Sequence, residues 1–300
     1  MIPLLIALIV ILGELGVFIT ISVLVGRSLM RPPKPLPVDT PDNYGIAYTP
    51  VQFYSRDQTL LQGRWLPFQT PAASKGTIIM CHGRYGGMDR DTACAVALCK
   101  AGFNILMFNF RGHDTRRNAA FTYGMYEKED VLGAIDFLVA QGIQRVGVLG
   151  FSMGATTALI AAAISDRIGA VVADSAVARL KYTLARSFQR RGLPFPLGIQ
   201  LAAWSLVTVL AKTRGRIDQV DGALWVPHVH CPILFIHGEK DRLVSAREAR
   251  KLTERAGGIA QLWKVPNADH REAFAADPLA YILRVSAWFS RWLKEDSFTT

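Results

Sequence analysis

Five uninterrupted apolar runs constrain the fold of this chain more than any other feature. They lie between residues 76 and 238 and read GTIIMCHG, FNILMFNF, RVGVLGFS, IGAVVAD and CPILFIHG, with segments of helix length between them. Strands that are apolar throughout are typical of a parallel sheet covered on both faces, because each crossover places a helix over the sheet. The sequence therefore predicts a mostly parallel, doubly wound α/β sheet.

The domain is expected to span residues 44–295. Two short β-like runs, 51–54 and 60–66, open it and predict a hairpin. The crossover between IGAVVAD and CPILFIHG is much longer than the others, so we expect a helical cap insertion at about 176–229. Its apolar stretch at 193–211 is long enough for a second membrane span, but such a span would separate the last strands from their sheet. We expect it instead to pack over the site or to lie in a membrane interface.

Residues 1–26 predict a membrane anchor. From Ile2 to Val25 the chain is apolar except for Glu14, Thr20 and Ser22, which exceeds the roughly 20 residues that span a bilayer. A cleaved signal peptide is the alternative. It is disfavoured because no basic residue precedes the run, the run is too long, and no A-x-A site follows it.

A proline-rich linker at 27–43 follows the anchor. RPPKPLPVDTP holds five prolines in eleven residues, which favours an extended spacer. Arg27, Arg31 and Lys34 follow the apolar run and no Lys or Arg precedes it, so the positive-inside rule predicts a single-pass protein whose large domain is cytoplasmic. Four cysteines without metal-ligand spacing agree with reduced thiols.

The net charge of +10 is not gathered in a nucleic-acid-binding motif. Part of it clusters around the apolar stretch of the cap, at Arg186, Arg190, Arg191, Lys212, Arg214 and Arg216. A basic face beside anionic lipid accounts for this cluster, so we expect a membrane contact and no nucleic-acid partner. His228 and His230 form an H-x-H pair, but no third ligand has a suitable spacing, so we predict no metal and no cofactor.

GFSMG, residues 150–154, predicts a nucleophile. A buried strand precedes it and an alanine-rich helix follows, which places Ser152 at a strand-to-helix turn. Gly150 and Gly154 let the backbone bend sharply and pack closely, which leaves the serine side chain exposed at the edge of the sheet. Amide dipoles at the start of the helix stabilise negative charge that develops there.

A serine nucleophile needs a histidine base, and the histidine needs a carboxylate that holds its tautomer. The expected chain order is serine, acid, histidine. Asp241 follows CPILFIHG, and His270 lies in VPNADHREAF, after the strand-like AQLWKV. Both positions are at carboxyl ends of strands, where open α/β sheets bind ligands, so we predict that Ser152, Asp241 and His270 act together. Asp174, at the end of IGAVVAD, is a substitute acid.

An oxyanion hole needs two backbone N–H groups that point at the tetrahedral intermediate. Met153, directly after the nucleophile, is predicted to supply one. Arg84 is predicted to supply the other, because it lies in a flexible glycine-rich loop, HGRYGG, after the first buried run. His82 in the same loop is expected to stabilise the loop and not to take part in catalysis.

Six motifs occur in the order of a known superfamily: CHGRYGG, NFRGHD, GFSMG, FIHGEKDRLV, ADH and DPLAYILRVSAWFSRWL. Over residues 45–295 the chain resembles the α/β-hydrolases, and within them the membrane-anchored esterase, lipase and serine aminopeptidase-like hydrolases. The resemblance assigns catalysis to Ser152, Asp241 and His270. In that branch the fourth strand usually ends in D-x-R-G-H-G. Asn109 and Asp114 depart from this pattern, at a turn near the oxyanion loop and not in the triad.

The expected function is a serine hydrolase that cleaves carboxylic esters, including lipid or acyl esters, through an acyl-enzyme. Its expected partners are a small-molecule ester and the membrane. A peptidase is disfavoured because ARLKYTLARSFQRRG in the cap is basic, where a pocket for a peptide amine needs acidic residues. An acyltransferase of the same fold and a catalytically silent, membrane-anchored binding protein remain open.

Overall fold

The structure is a computed structural model that describes residues 2–31, 37–70, 73–113, 121–213 and 217–293. The side chains at 208–213, 217 and 218 are not described. Parts of three predictions therefore lie outside the described residues. They are the proline-rich centre of the linker at 32–36 with Lys34, Asp114 of NFRGHD, and the side chains of Lys212, Arg214 and Arg216.

Among the described residues, one sheet of eight strands forms the centre of the domain. The strands are β1 (Thr49–Tyr54), β2 (Leu60–Leu66), β3 (Thr77–Cys81), β4 (Asn104–Phe108), β5 (Val146–Phe151), β6 (Ile168–Asp174), β7 (Ile233–Gly238) and β8 (Ala260–Val265). Their order across the sheet is β1, β2, β4, β3, β5, β6, β7, β8. The β1–β2 and β2–β4 pairs are antiparallel and every other pair is parallel. The predicted mostly parallel sheet is confirmed.

Helices lie on both faces of this sheet. In chain order, the α-helices of the described residues are α1 (Ile2–Leu29), α2 (Thr92–Lys100), α3 (Glu127–Val139), α4 (Met153–Ala162), α5 (Leu180–Gln189), α6 (Phe195–Thr213), α7 (Gly222–Trp225), α8 (Ala246–Glu254), α9 (Ala273–Ala276) and α10 (Pro278–Trp292), of which α1 and α6 pack against each other away from the sheet. One buried apolar cluster includes residues of α3 and α4, and the other includes residues of α2 and α10. Every residue of β3, β5, β6 and β7 is buried, because helices exclude water from both faces.

Helix α1 is long and apolar enough to cross a membrane, with a mean hydropathy of 2.8 over its most apolar window. Residues 2–17 are all exposed, whereas the buried Ser22, Gly26 and Leu29 lie in its last third. The helix packs against α6, and the carbonyl of Met30 just beyond it accepts the Phe121 N–H at 3.1 Å. The C-terminal end of α1 is therefore part of the domain surface, and its apolar N-terminal part is not.

A buried arginine connects the β1–β2 hairpin to helix α3. Arg111 donates two hydrogen bonds to Asp57 in the hairpin turn, at 2.6 and 2.7 Å, and two to Asp130 Oδ1, at 2.6 and 3.0 Å. Its backbone N–H donates to the other oxygen of Asp130. Burial raises the pKa of the Asp130 carboxyl to about 7, although the hydrogen bonds from Arg111 favour its charged form. The arginine is thus the partner that Asp130 needs in order to be buried.

Replacing this arginine tests how strongly the network stabilises the fold. We expect Arg111→Met to lower the free energy of unfolding by about 3–5 kcal/mol, because Asp130 would be left buried without its partner. Arg56→Met is the matched control, since Arg56 binds Asp136 in a pair whose side chains are 43% and 51% exposed. There we expect a loss of about 1 kcal/mol or less. Equal losses in denaturant titrations of the two variants would contradict this account.

Candidate active site

Ser152 occupies the turn between β5, which ends at Phe151, and α4, which begins at Met153. Its backbone has φ 53° and ψ −112°, which is a strained conformation for a residue with a side chain. The Ser152 N–H donates to the carbonyl of Asp174 on the neighbouring strand at 2.7 Å. The paired strands therefore hold the turn in a conformation that the serine alone would not adopt.

The two glycines of GFSMG allow close backbone contacts. A Cβ on Gly154 would lie 2.1 Å from the Cys81 carbonyl oxygen and 2.4 Å from that of His82. A Cβ on Gly150 would lie 2.4 Å from the Gly154 carbonyl oxygen. Because neither position has room for a side chain, α4 begins directly against the end of β3. This contact brings Ser152 next to the loop that follows β3.

The structure brings the three predicted side chains together. Ser152 Oγ lies 2.8 Å from His270 Nε2, and His270 Nδ1 lies 2.8 Å from Asp241 Oδ2. The other oxygen of Asp241 accepts the N–H groups of Leu243 and Val244, both at 2.8 Å. A carboxylate only accepts hydrogen bonds, so His270 Nδ1 carries a proton and Nε2 is free to accept from the serine hydroxyl. The carboxylate side chain is fully buried, and the imidazole is 14% exposed.

Asp241 and His270 lie in the loops that follow the parallel strands β7 and β8. A Cβ on Gly238, at the end of β7, would lie 2.4 Å from the Ala268 carbonyl oxygen, so the two loops are in close contact. Asp269 joins them, because its Oδ1 accepts the backbone N–H groups of both Arg242 and His270. The distance between acid and base is thus set by main-chain contacts between the loops.

Asp174, the substitute acid, is engaged elsewhere. Its Oδ1 accepts the Ser175 hydroxyl at 2.8 Å, and its Oδ2 accepts the Tyr281 hydroxyl at 3.0 Å. Burial raises the pKa of this carboxyl to about 6. Asp241, and not Asp174, accepts the hydrogen bond from His270 Nδ1.

The Met153 and Arg84 N–H groups, predicted as oxyanion donors, are available for a ligand. Neither donates to an acceptor within the described part of the chain. Met153 is the first residue of α4, and Arg84 lies in the loop after β3. Both residues line one cavity together with Ser152 and His270. The arrangement suits the stabilisation of negative charge on an oxygen beside Ser152.

Two neutral histidines hold the loop that contains Arg84. His82 Nε2 accepts the Phe110 N–H at 2.9 Å, so its Nδ1–H donates to the Gly83 carbonyl at 2.6 Å. His113 Nε2 lies 2.9 Å from the Arg84 carbonyl oxygen. Burial lowers the pKa of both imidazoles, which keeps them uncharged. These contacts agree with the loop-stabilising role predicted for His82.

Asn109, one of the two departures from D-x-R-G-H-G, also contacts this region. Its side-chain oxygen accepts the Met88 N–H at 2.8 Å. A Cβ on Gly87 would lie 2.6 Å from the same oxygen. An amide at position 109 therefore packs closely against Gly87 and Met88, and Asn109 is not among the residues that line the cavity at Ser152.

The cavity above Ser152 has a volume of about 290 Å³. Helix α5 forms one wall, with Leu180, Thr183, Leu184 and Ser187, and Arg190 directly after the helix extends this wall. We expected the apolar stretch 193–211 to pack over the site or to lie in a membrane interface. Its helix, α6, packs against α5 and α1, and none of its described side chains lines the cavity. The amphipathic α5, not the apolar α6, covers the site.

Sequence reasoning missed Arg271, which directly follows His270. It has a positive φ of 62°, and its side chain is only 5% exposed. The guanidinium donates to Asp91 Oδ1 at 2.6 Å and lies over the ring of Phe151. Adjacency to His270 is the only signal that the sequence offered, because Asp91 lies far away along the chain.

Among the described residues, no group of three His, Cys, Asp or Glu side chains is arranged to hold a metal ion.

Comparisons with known proteins agree with this fold. A sequence model of the family described as "alpha/beta hydrolase fold" matches residues 76–200. The structure of the Pyrococcus furiosus esterase Pf2001 superimposes with a TM-score of 0.73 at 26% identity, over 88% of this chain and 98% of that one. The chain has the α/β-hydrolase fold, and it is similar to this esterase.

Other relatives show how widely this fold is shared. The YqkD protein of Bacillus subtilis is 27% identical over 224 residues, which is 72% of this chain and 70% of that protein. The bem46 protein of Schizosaccharomyces pombe is 22% identical over 69% of this chain and 65% of its own length. An acylaminoacyl peptidase of Pyrococcus horikoshii superimposes with a TM-score of 0.61 at 17% identity, over 85% of this chain and 43% of that one.

The close contact at Gly154 leads to a prediction. We expect Gly154→Ala to lower the free energy of unfolding by about 2 kcal/mol or more, because the added methyl group would push α4 away from the end of β3. Gly16→Ala is the control, since a Cβ there meets no atom within 4 Å. Thermal unfolding of the two variants checks this. A Gly154→Ala protein as stable as the control would contradict the close packing described above.

Proposed function

We propose that this protein is a serine hydrolase that cleaves carboxylic esters through an acyl-enzyme on Ser152. The observation that carries the proposal is the continuous hydrogen-bonded series of Ser152 Oγ, His270 and Asp241, with 2.8 Å at each contact. A serine hydroxyl at neutral pH becomes a nucleophile when a base takes its proton, and this geometry supplies the base.

The proposed reaction uses each group in turn. His270 Nε2 takes the proton of Ser152 Oγ as the oxygen attacks the acyl carbon, and Asp241 stabilises the imidazolium that forms. The N–H groups of Met153 and Arg84 bind the oxyanion. Removing one such donor in other enzymes costs about 2.7–4 kcal/mol of transition-state stabilisation. The imidazolium then protonates the leaving alkoxide, and water, deprotonated by the same Nε2, cleaves the acyl-enzyme.

The esterase relative and the cavity wall support an ester as the substrate. Val177, Leu180 and Leu184 give the cavity an apolar side that suits an acyl chain, including that of a lipid. A peptidase is less well supported, because arginines line the cavity and would repel a peptide amine. The peptidase relative, at 17% identity, supports the fold alone. An acyltransferase and a silent binding protein are outcomes that the experiment below separates.

We also propose that α1 is a retained membrane anchor. Residues 2–21 of an α-helix extend about 30 Å, the thickness of the hydrocarbon core. Cleavage after this segment would remove or free the end of α1, which packs against α6 and whose Leu29 carbonyl accepts a hydrogen bond from the Arg84 side chain at 3.2 Å. Those contacts favour an anchor over a signal peptide. Arg27 and Arg31 then favour a cytoplasmic domain.

The proposed organisation follows from these assignments. Residues 1–26 are the anchor, 27–43 the linker and 44–295 the hydrolase domain, with 176–229 as the cap. In this arrangement α6 lies beside the anchor and α5 lies over the cavity. An ester in the membrane surface would therefore meet the cap before it meets Ser152.

Active-site labelling tests the catalytic proposal. We expect a fluorophosphonate probe to label the wild-type protein and to leave Ser152→Ala unlabelled. We expect Asp241→Asn to lower kcat for p-nitrophenyl esters by about 10³-fold or more, because the amide favours the wrong histidine tautomer. Asp174→Asn is the matched control. It also removes a carboxylate at a strand end, but one that does not bind His270.

The outcomes separate the alternatives. Equal losses for Asp241→Asn and Asp174→Asn, per mole of folded protein, would contradict the assigned acid. Failure of the folded wild type to react with the probe would favour the silent binding protein. Labelling without net hydrolysis, but with acyl transfer to an added alcohol, would favour an acyltransferase.

Membrane extraction tests the anchor. We expect the full chain to stay in the membrane pellet after alkaline carbonate treatment, and a chain that lacks residues 2–21 to appear in the supernatant. An N-terminal tag should remain on the membrane-bound protein. Loss of the tag with a shortened chain would show a cleaved signal peptide instead.

A further inference from the structure

The cavity beside Ser152 has an unusual charge for a site that takes esters. Four arginines line the cavity, but only two carboxylates do. The arginines are Arg84, Arg90, Arg190 and Arg271. The carboxylates, Asp269 and Glu272, accept hydrogen bonds from backbone N–H groups of their own loop. The wall therefore has an excess of positive charge next to the nucleophile.

Two of these arginines, Arg90 and Arg190, lie within electrostatic range of the carboxylates Glu272 and Asp269 but form no salt bridge with them. Neither Arg90 nor Arg190 forms an ion pair with any residue that the structure describes. Both are exposed, Arg90 in the short helix before α2 and Arg190 just after α5. They lie on separate elements, yet both reach the same cavity. Their guanidinium groups are free to bind a ligand.

Arg271 is only partly paired. Its Nη2 binds Asp91, whereas Nε and Nη1 are buried and have no acceptor among the described residues. Partial desolvation and the charge of Arg271 lower the pKa of Arg90, whereas the carboxylates of Asp91 and Glu272 act in the opposite direction. Arg90 and Arg271 are thus close enough to repel each other. Like charges held together in a cavity are relieved when an anion binds there.

Arg84 is fixed by the end of the anchor helix and by aromatic rings. Its Nη2 donates to the Leu29 carbonyl, and its guanidinium lies 5.2 Å from the ring centroids of Tyr85 and Tyr123. Neither contact neutralises its charge. Arg84 thus adds to the positive potential while its backbone stays in place as a proposed oxyanion donor.

We propose that the substrate is an acyl ester that also carries an oxyanionic group, a phosphate or a carboxylate, which Arg90 and Arg190 bind beside Ser152. This inference rests on the proposed ester hydrolysis. Guanidinium groups suit both oxyanions, because their planar N–H donors match two oxygens at once. The apolar side of the same cavity, at Leu180 and Leu184, takes the acyl chain. An anionic amphiphile can contact both the arginines and the apolar wall of the cavity, whereas a neutral ester can contact only the apolar wall.

Matched ester pairs test the proposal on the full chain in non-ionic detergent. The first pair is 1-lauroylglycerol and 1-lauroylglycerol 3-phosphate, with the anion on the alcohol side. The second pair is p-nitrophenyl valerate and mono-p-nitrophenyl glutarate, which differ by a carboxylate on the acyl side. We expect kcat/KM to be about 10-fold or more higher for the anionic member of at least one pair, and the preference to fall in high salt. The pair that shows it identifies the oxyanion.

Variants assign that preference to residues. We expect Arg90→Gln and Arg190→Gln each to reduce the anionic-to-neutral ratio of kcat/KM by about 5-fold or more. Arg250→Gln is the control, because Arg250 is an exposed residue of α8 outside the cavity and its loss removes the same charge. It should leave the ratio unchanged.

Two further outcomes keep this inference distinct from the proposed function. Equal kcat/KM values within both pairs, unaffected by either arginine variant, would overturn the inference while ester hydrolysis stands. Binding of 1-lauroylglycerol 3-phosphate to Ser152→Ala, measured by calorimetry, does not depend on turnover. We expect it to be at least 10-fold tighter than binding of 1-lauroylglycerol. Equal affinities would contradict the anion site, whether or not the fluorophosphonate probe labels Ser152 in the wild-type protein.

Discussion

The contact between Gly154 and the end of β3 is the constraint on which the rest of the site depends. Its backbone approaches the Cys81 and His82 carbonyls so closely that no side chain fits. The start of α4, the nucleophile turn and the loop of Arg84 are therefore held within one set of main-chain contacts. Strain at Ser152 is sustained because the hydrogen bond to the Asp174 carbonyl and the sheet on either side leave it no alternative.

The acid and the base rely on a second set of backbone contacts, between the loops after β7 and β8. The Asp269 side chain accepts N–H groups of both loops, so it links the loop of Asp241 to the loop of His270. The cap completes the cavity beside these residues. Helix α5 provides an apolar wall, Arg190 directly follows this helix, and α6 packs between α5 and α1. Helix α1 thus contacts both α6 of the cap and the loop of Arg84, the latter through the hydrogen bond from Arg84 to the Leu29 carbonyl.

Much of this could be predicted because the determining signals are local. Apolar runs predict buried parallel strands, and G-x-S-x-G between a strand and a helix predicts a nucleophile turn. Ser152, Asp241 and His270 were predicted as one set, and the structure places them within hydrogen-bond distance. The covering helix was harder to predict. The most apolar stretch of the cap is 193–211, but its helix α6 packs against α1 and α5 and leaves Leu197, Trp204 and Val207 exposed. The helix that lines the cavity, α5, is amphipathic, so hydrophobicity alone does not identify it.

The sequence by itself determined which residue types stand at the ends of the strands. It also determined that the N-terminal helix is apolar enough to span a bilayer. Only the tertiary structure decided which distant residues meet. Arg271 pairs with Asp91 across 180 positions, and Arg90 and Arg190 reach the same cavity from separate elements. Charge in a cavity is a sum over residues that have no common spacing in the chain. No sequence periodicity predicts this charge, because it arises only when the fold has brought the arginines together.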